Sequence, residues 1–450
     1  MSIYYITMQV IPTDNNLRIN EIEGAQAICW IRDDNSMAAL GKACLMVRQY
    51  DWEIIKIENY PALTTRYDFI GKDIGLSQYD IAQKDGIAMT FLAWSKDGKS
   101  SYGPCKLKRS IKLSLDSFLT DIKSLKHKGR CLHFDAGHRC TEVINAHSIQ
   151  KKISLLQIAE NGKVYSISKN FGDIRRNKGR LSYTKQGISQ ISTFRGFCEK
   201  HDNELFEPID NYKLIPTNQQ ILLYAYRSLC REIFEKEINV HIHERLAEEC
   251  KKQKEINTFH DNTLKAAQFG LDNLMNEKKH YDNDLKTKSY SDIKYVLYCS
   301  RNEPTIAFSG LFYPDYDFLG YRLQDLGDHK SLLDLITFSS APMNDGWGYL
   351  FAWHSRSSKA CIAFMRSLAT VVHEKGSLED CLFRLVVSNC ENMAISPKWW
   401  KSLPENDKNR MSETISNQAD IFQPIMSDYL SKGLEGISGW EFDGVISDMD

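Results

Sequence analysis

The chain has almost no net charge: 57 Lys and Arg stand against 58 Asp and Glu, leaving −1 at neutral pH. A protein so balanced has no global field drawing it to nucleic acid or to an anionic membrane, so any such attraction must come from a local asymmetry. No stretch reaches the eighteen or so consecutive apolar residues of a membrane-crossing helix, so no membrane partner is expected. The opening MSIYYITMQV has no basic start, and Pro12 and Asp14 follow closely. No secretory signal is therefore expected, and the protein is expected to stay in the cytoplasm. A phosphate-cradling Gly-rich loop and a G-x-S-x-G elbow are both missing, which leaves ATPase and serine-hydrolase readings without support. Internal repeats and low-complexity tracts are missing too.

The twelve cysteines form no dense framework, and in a chain without an export signal they are expected to stay reduced. Most then act as small buried apolar residues. A length of 450 residues, an apolar fraction of 42% and a charged fraction of 26% describe a soluble globular protein of about two to four domains.

The pattern along the chain predicts a multidomain α+β protein. Residues 1–104 alternate strand and helix patterns (IYYITMQVI, EGAQAICWI, NSMAALGKACLMVRQY, WEIIKIENY, GIAMTFLAW) and read as an N-terminal α+β domain. In its first helix Asn35 is the expected cap, with Met37, Leu40, Cys44, Leu45 and Val47 on the buried face. Residues 105–216 form a second, basic segment. Residues 217–288 carry the longest helical pattern, opened by Thr217, and predict a helical hairpin suited to a spacer, a protein partner or a homo-oligomer contact. Residues 289–450 return to strands (KYVLYCS, TIAFSGLF, YLFAWHS, LFRLVVSNC), with one helix, SSKACIAFMRSLATVVHEKG, and read as a C-terminal α+β domain.

The basic segment carries the chemistry. Between Asp121 and Lys200 sixteen Lys and Arg face six Asp and Glu, a local +10 in a neutral chain, with RRNKGR at 175–180 its densest part. A surplus of that kind favours a polyanion, so residues 121–200 are the expected nucleic-acid contact. The same segment holds CLHFDAGHRC with Cys131 and Cys140, AHSIQ with His147, and FCEKHD with Cys198 and His201. Thiolates and imidazoles are the ligands of a tetrahedral structural zinc. A helix starting at Cys198 puts His201 three residues on, on the same face, and its N-terminus favours a thiolate. Cys131, Cys140, Cys198 and His201 are therefore the expected metal ligands, while His133 and His138 are alternatives to either cysteine of the first pair.

A Cys pair on a loop and a second pair at a helix start resemble a treble-clef zinc site. With His147 between the pairs, residues 131–206 resemble the HNH nuclease modules, whose first His ends a strand and acts as general base. The resemblance implies hydrolysis of a phosphodiester by water activated at His147, with Zn²⁺ holding the fold and Mg²⁺ or Mn²⁺ serving the reaction. It gives the expected function as metal-dependent nucleic-acid cleavage, as in a microbial defence effector. The alternative is a non-catalytic protein in which zinc only staples a module that binds nucleic acid or a protein. Two departures stand in the sequence: Ser148, Ile149 and Gln150 replace the family's usual Ile-x-Pro, and about fifty residues separate His147 from Cys198. Asn161, Asn170 and Asn177 lie between, and no motif selects one as the family's Asn.

Elsewhere, Asp315, Asp317 and Asp325 read as turn residues rather than cation ligands. The strand YLFAWHSRSSK offers His354 and Lys359 but lacks the acid and Lys two apart of a restriction-type nuclease core, and Trp399 and Trp400 read as packing residues.

Overall fold

The computed structural model describes residues 2–96, 100–102, 112–168, 181–252, 258–328, 330–420 and 422–449. It divides into two compact units, the first comprising residues 1–125, 241–266 and 421–425, the second residues 126–240, 267–420 and 426–450.

The first unit is built on an antiparallel sheet. Its strands are β1 (Ser2–Pro12), β2 (Ile22–Asp33), β3 (Trp52–Thr64), β4 (Ile87–Ser95), β5 (Ser100–Tyr102) and β6 (Lys112–Ser114), in the order β3-β1-β2-β4-β5-β6. Side chains alternate across a strand, so one strand can serve two cores. Ile6, Met8 and Val10 of β1 join Ala25, Ala27, Cys29 and Ile31 of β2 in one cluster. Ile3, Tyr5, Ile28 and Trp30 belong to another. Helix α1 (Ser36–Gln49) packs into the first cluster and α2 (Asp73–Asp85) into the second. Asn35 caps α1, its side chain accepting from the amides of Met37 and Ala38.

The expected stripe of α1 holds in part: Val47 is buried, and Leu40 and Cys44 pack partly buried against the same cluster. Ala39, Ala43 and Val47, spaced at i, i+4 and i+8, are buried, whereas Met37 is 70% and Leu45 60% exposed. Large apolar side chains advertise a face in sequence, but small alanines let a helix sit closer to a sheet. The chain then continues into α3 (Leu115–Lys128).

The second unit has helices α4 (Glu199–Asp210), α5 (Asn218–Lys252), α6 (Thr258–Thr287), α7 (Ser358–His373), α8 (Leu378–Asn389), α9 (Pro397–Ser402) and α10 (Glu405–Ala419), with the 241–266 ends of α5 and α6 lying in the first unit. Its eight-stranded antiparallel sheet runs β16-β11-β14-β13-β12-β15-β8-β9, from β16 (Gly444–Asp448), β11 (Ile293–Ser300), β14 (Gly346–His354), β13 (Ile336–Met343), β12 (Ile306–Phe312), β15 (Met393–Ile395), β8 (Lys163–Ile167) and β9 (Tyr183–Gly187). A separate pair joins β7 (Val143–His147) to β10 (Thr193–Cys198). The sheet therefore draws strands from both the basic segment and the C-terminal part of the chain. Residues of α7, α8 and α10 fill its main core together with Phe308, Phe338, Tyr349 and Phe351.

One predicted strand is a helix. LFRLVVSNC lies in α8, where Ser377 caps the start by accepting from the Asp380 amide and Glu379 and Asp380 occupy the first turn. Every residue from Cys381 to Ser388 is buried, so the run has no polar face to reveal a helical period. The long hairpin is present: α5 and α6 run antiparallel, with the Tyr226 hydroxyl donating to Asp282 at 2.8 Å and Lys236 alongside Gly270. Thr217 caps α5 through the Gln220 amide at 3.3 Å. Trp400 packs on Tyr165 and Tyr183 within the unit's core. Asp317 accepts from the amides of Leu319 and Tyr321, which is turn chemistry. No helix among the described residues is long and apolar enough to cross a membrane.

Because α1 packs through its alanines, Ala43→Leu is expected to destabilise the protein by about 1–3 kcal/mol through overpacking. Met37→Gln should stay within about 0.5 kcal/mol, as an exposed substitution does. Thermal unfolding of the two variants beside the parent checks the stripe.

Candidate metal centre

The four expected ligands converge. One ligand atom from each of Cys131, Cys140, Cys198 and His201 lies within 4.8 Å of the other three, so the group could hold a metal ion. His201 Nδ1 is 3.4 Å from Cys131 Sγ and 3.5 Å from Cys140 Sγ. A tetrahedral ion bound at roughly 2.3 Å to sulfur and 2.05 Å to nitrogen separates those atoms by about 3.6 Å.

Backbone pairing explains the convergence. Strand β10 is the spine: Arg130 donates its amide to the Arg195 carbonyl at 3.0 Å and Leu132 to that of Gly196 at 2.8 Å, which lays Cys131 along it. Gly129 makes the approach at φ +57, with a Cβ there meeting Arg195 at 2.4 Å, so no larger residue fits. On the other side Cys198 pairs with Val143 of β7, and the Glu199 amide donates to the Glu142 carbonyl at 2.9 Å. The two stretches flanking the loop are thus held to one strand.

The loop itself is longer than a standard knuckle, and turns take up the excess. Ala136 donates to the His133 carbonyl and His138 to that of Asp135, while Gly137 and Arg139 adopt φ of +93 and +53. The Gly137 amide also donates to Cys140 Sγ at 3.3 Å.

Helix α4 supplies the other half. Cys198 is its N-cap residue and His201 stands in its first turn, both buried. Burial works against ionisation of Cys198, but the amides of His201 and Thr141 outweigh it and hold the thiol below its ordinary range. Burial raises the Cys131 thiol to about 11. The two sulfurs therefore share negative charge unevenly when no cation is bound.

His133 and His138 are not in the group. His133 accepts from the Asp135 amide at 3.0 Å and stacks on the His201 ring, centroids 4.0 Å apart at 8°. Burial, with His201 beside it, lowers its pKa to about 4, so it packs as a neutral ring. His138 is exposed and pairs with Asp135 at 3.1 Å. His201 Nε2 is buried and finds no hydrogen-bond partner, the His133 ring being stacked on the imidazole.

His147 lies apart from the ligands, at the far end of the same two strands, where it pairs with Thr193. At about 3.3 Å per residue, the four steps from Val143 place it roughly 13 Å along the strand from the level of Cys198. It is half-buried, and its Nε2 contacts the Ile188 carbonyl at 3.1 Å. A carbonyl can only accept, so Nε2 carries the proton and Nδ1 holds the lone pair of the neutral ring. Burial lowers its pKa, and Lys151 and Arg227 act in the same direction. Among the described residues His147 belongs to no group of three ligand atoms within 4.8 Å.

In sequence, Asp202 and Asn203 are poor candidates for a catalytic cation once His201 is taken as a zinc ligand. In the fold the Asp202 side chain is 9% exposed, Oδ1 has no hydrogen-bond partner, and burial raises its pKa to about 6. Arg227 and Asp210 bear electrostatically on both Asp202 and His147. Arg227, 2% exposed, is held by two 2.6 Å bonds to Asp210 and lies 3.9 Å over the Phe206 ring.

Of the basic segment, RRNKGR, Asn170 and Asn177 lie outside the described residues. Several of its other cations are matched locally: Lys126 pairs with Glu235, Arg130 with Glu237 and Lys200 with Glu204. The surplus over 121–200 is therefore offset in part by acids of neighbouring helices.

Removing a ligand should empty the site. The parent and His138→Ala are expected to carry about one ion per chain, and Cys198→Ser and His201→Ala to carry none. Elemental analysis of the purified proteins measures this directly. No protein-family model, curated protein or solved structure matches this chain.

Proposed function

We propose that residues 131–206 form a zinc-stapled module that cleaves nucleic acid with a divalent cation, with His147 as its general base. Three sulfurs and one imidazole are the donor set of a structural zinc, and all four positions are taken by the chain. The order of loop, paired strands and helix supports the resemblance to treble-clef modules.

The observation that carries the catalytic reading is the setting of His147. A backbone carbonyl fixes its tautomer, burial favours its neutral form, and both suit a base that accepts a proton from water at Nδ1 near pH 7. Asp202, one residue beyond His201, offers a buried carboxylate with an oxygen that nothing else occupies. It is the residue best suited to hold Mg²⁺ or Mn²⁺, with Asp210 nearby as Arg227's counter-ion. A cation there would supply Lewis-acid stabilisation of charge building on the phosphate oxygens. Lys and Arg of the 121–200 segment would hold the polyanion by phosphate contacts.

A second reading has its own observation. Because His147 has no preassembled ligand group beside it among the described residues, a module that binds nucleic acid or a protein without cleaving it fits the same zinc staple.

The two readings part at His147. Under the catalytic one, His147→Ala lowers cleavage of plasmid DNA or RNA in Mg²⁺ or Mn²⁺ by about 10²–10⁴-fold while zinc content and melting temperature hold. Parent protein that cleaves neither substrate with either cation supports the binding reading instead. The acid limb of the cleavage profile should lie below pH 6.5, since protonation silences the base and burial displaces its titration downward. A limb above that value would assign the base elsewhere.

A further inference from the structure

A different set of ligand atoms stands in the second unit. Asp284 comes from the last turns of α6, Asp292 immediately precedes β11, and His354 ends β14. One ligand atom of each lies within 4.8 Å of the other two. The sheet fixes two of them, since Ile293 is the register partner of His354 and the Ser355 amide donates to the Asp292 carbonyl at 2.7 Å. The end of α6 brings the third.

Two of the three are buried. Asp284 is 4% and His354 6% exposed, while Asp292 is exposed and leaves a route from solvent. A buried carboxylate oxygen needs a hydrogen bond or a positive charge. Asp284 Oδ2 accepts no hydrogen bond, and it faces His354 Nε2 at 3.5 Å. That separation is long for a charge-assisted hydrogen bond of about 2.7–2.9 Å. It is close to the roughly 3.4 Å between two ligands each about 2.1 Å from a tetrahedral ion.

We propose that Asp284, Asp292 and His354 hold a divalent first-row transition ion, a second metal site separate from the Cys3His group. Two carboxylates and an imidazole suit Mn²⁺ or Zn²⁺, and three protein ligands leave a coordination position for water or a substrate atom beside Asp292. Binding through Nε2 puts the ring proton on Nδ1, so the 3.3 Å contact that Nδ1 now makes with the Arg356 amide is given up. The guanidinium of Arg356 does not counter the ion alone, because Glu277 pairs with it at 3.2 Å.

The site is independent of the nuclease reading, and the Asp292→Asn and Asp202→Asn variants separate the two. Full-length protein with its cysteine site filled by zinc is titrated with Mn²⁺, and the free aquo ion is followed by electron paramagnetic resonance. The Cys3His group does not compete, because thiolate sites select zinc. Asp292→Asn and Asp284→Asn should each weaken Mn²⁺ binding at least about tenfold without changing zinc content, while Asp202→Asn leaves this binding in place. Asp292 is exposed, so its variant tests the site even where the buried Asp284 variant fails to fold. Unchanged Mn²⁺ binding in Asp292→Asn overturns the proposal, as does a parent protein that binds no Mn²⁺. Loss of all Mn²⁺ binding in Asp202→Asn alone overturns it too, by moving the ion to the His147 centre.

Discussion

Mutual repulsion among the three cysteine sulfurs is the constraint around which the 131–206 region is organised. Held within 4.8 Å of one another and of an imidazole, they cannot all ionise without a cation. Two unit charges at about 4 Å repel by roughly 4 kcal/mol at an effective dielectric of 20. Without an ion the group compromises: the amides at the start of α4 favour a thiolate at Cys198, and burial keeps Cys131 a thiol. An ion held there would reverse the balance and cross-link a loop, a strand end and a helix start. Each lies on backbone already tied to β10, so metal binding need order little beyond the side chains and the short loop.

That spine also accounts for the long gap between His147 and Cys198. After His147 the chain leaves the pair of strands, and Ser148 and Ser192 close the exit: the Ser148 amide donates to the Ser192 carbonyl at 2.8 Å, and their hydroxyls meet at 2.7 Å. The intervening residues supply β8 and β9 to the eight-stranded sheet and then return. The intervening segment is therefore structural at both ends. Asn392 extends the closure inward, donating to Ser148 Oγ at 2.9 Å and to the Ser309 carbonyl at 3.0 Å, and Ser309 meets Ser228 at 2.8 Å. In a buried setting each of these bonds is strengthened by low dielectric and would be expensive to leave unmade. The residue next to His147 is thus pinned through the sheet to α5.

The metal group was legible in sequence because its residue types are chemically narrow, even though the first pair had the wrong spacing for a knuckle. What the sequence did not display was how the spacing is absorbed, since positive φ at Arg139 gives no compositional sign of the kind Gly137 gives. Strands with alternating or β-rich patterns were readable, and so was the antiparallel hairpin of α5 and α6. Helix α8 was not, because burial on all sides erases the periodicity that separates a helix from a strand. The face of α1 was legible in part: Val47 is buried as its spacing indicates, but hydrophobic size suggested Met37 and Leu45 where close approach to a sheet selected Ala39 and Ala43.

The triad of Asp284, Asp292 and His354 was illegible for a reason that applies to any site of this kind. Its residues are ordinary in type and spread over some seventy positions on a helix, a loop and a strand end, so no spacing rule could join them. Sequence showed His354 as one polar residue after an apolar strand, and sheet register is what gives it a neighbour. Cys198 and His201, by contrast, are joined by three residues of helix, and one turn suffices to place them together. Local geometry makes half of the Cys3His site visible before folding, and long-range pairing completes it. Where all the geometry is long-range, sequence gives no sign, and only the folded chain shows a buried Asp284 Oδ2 that accepts no hydrogen bond and faces His354 Nε2 at 3.5 Å.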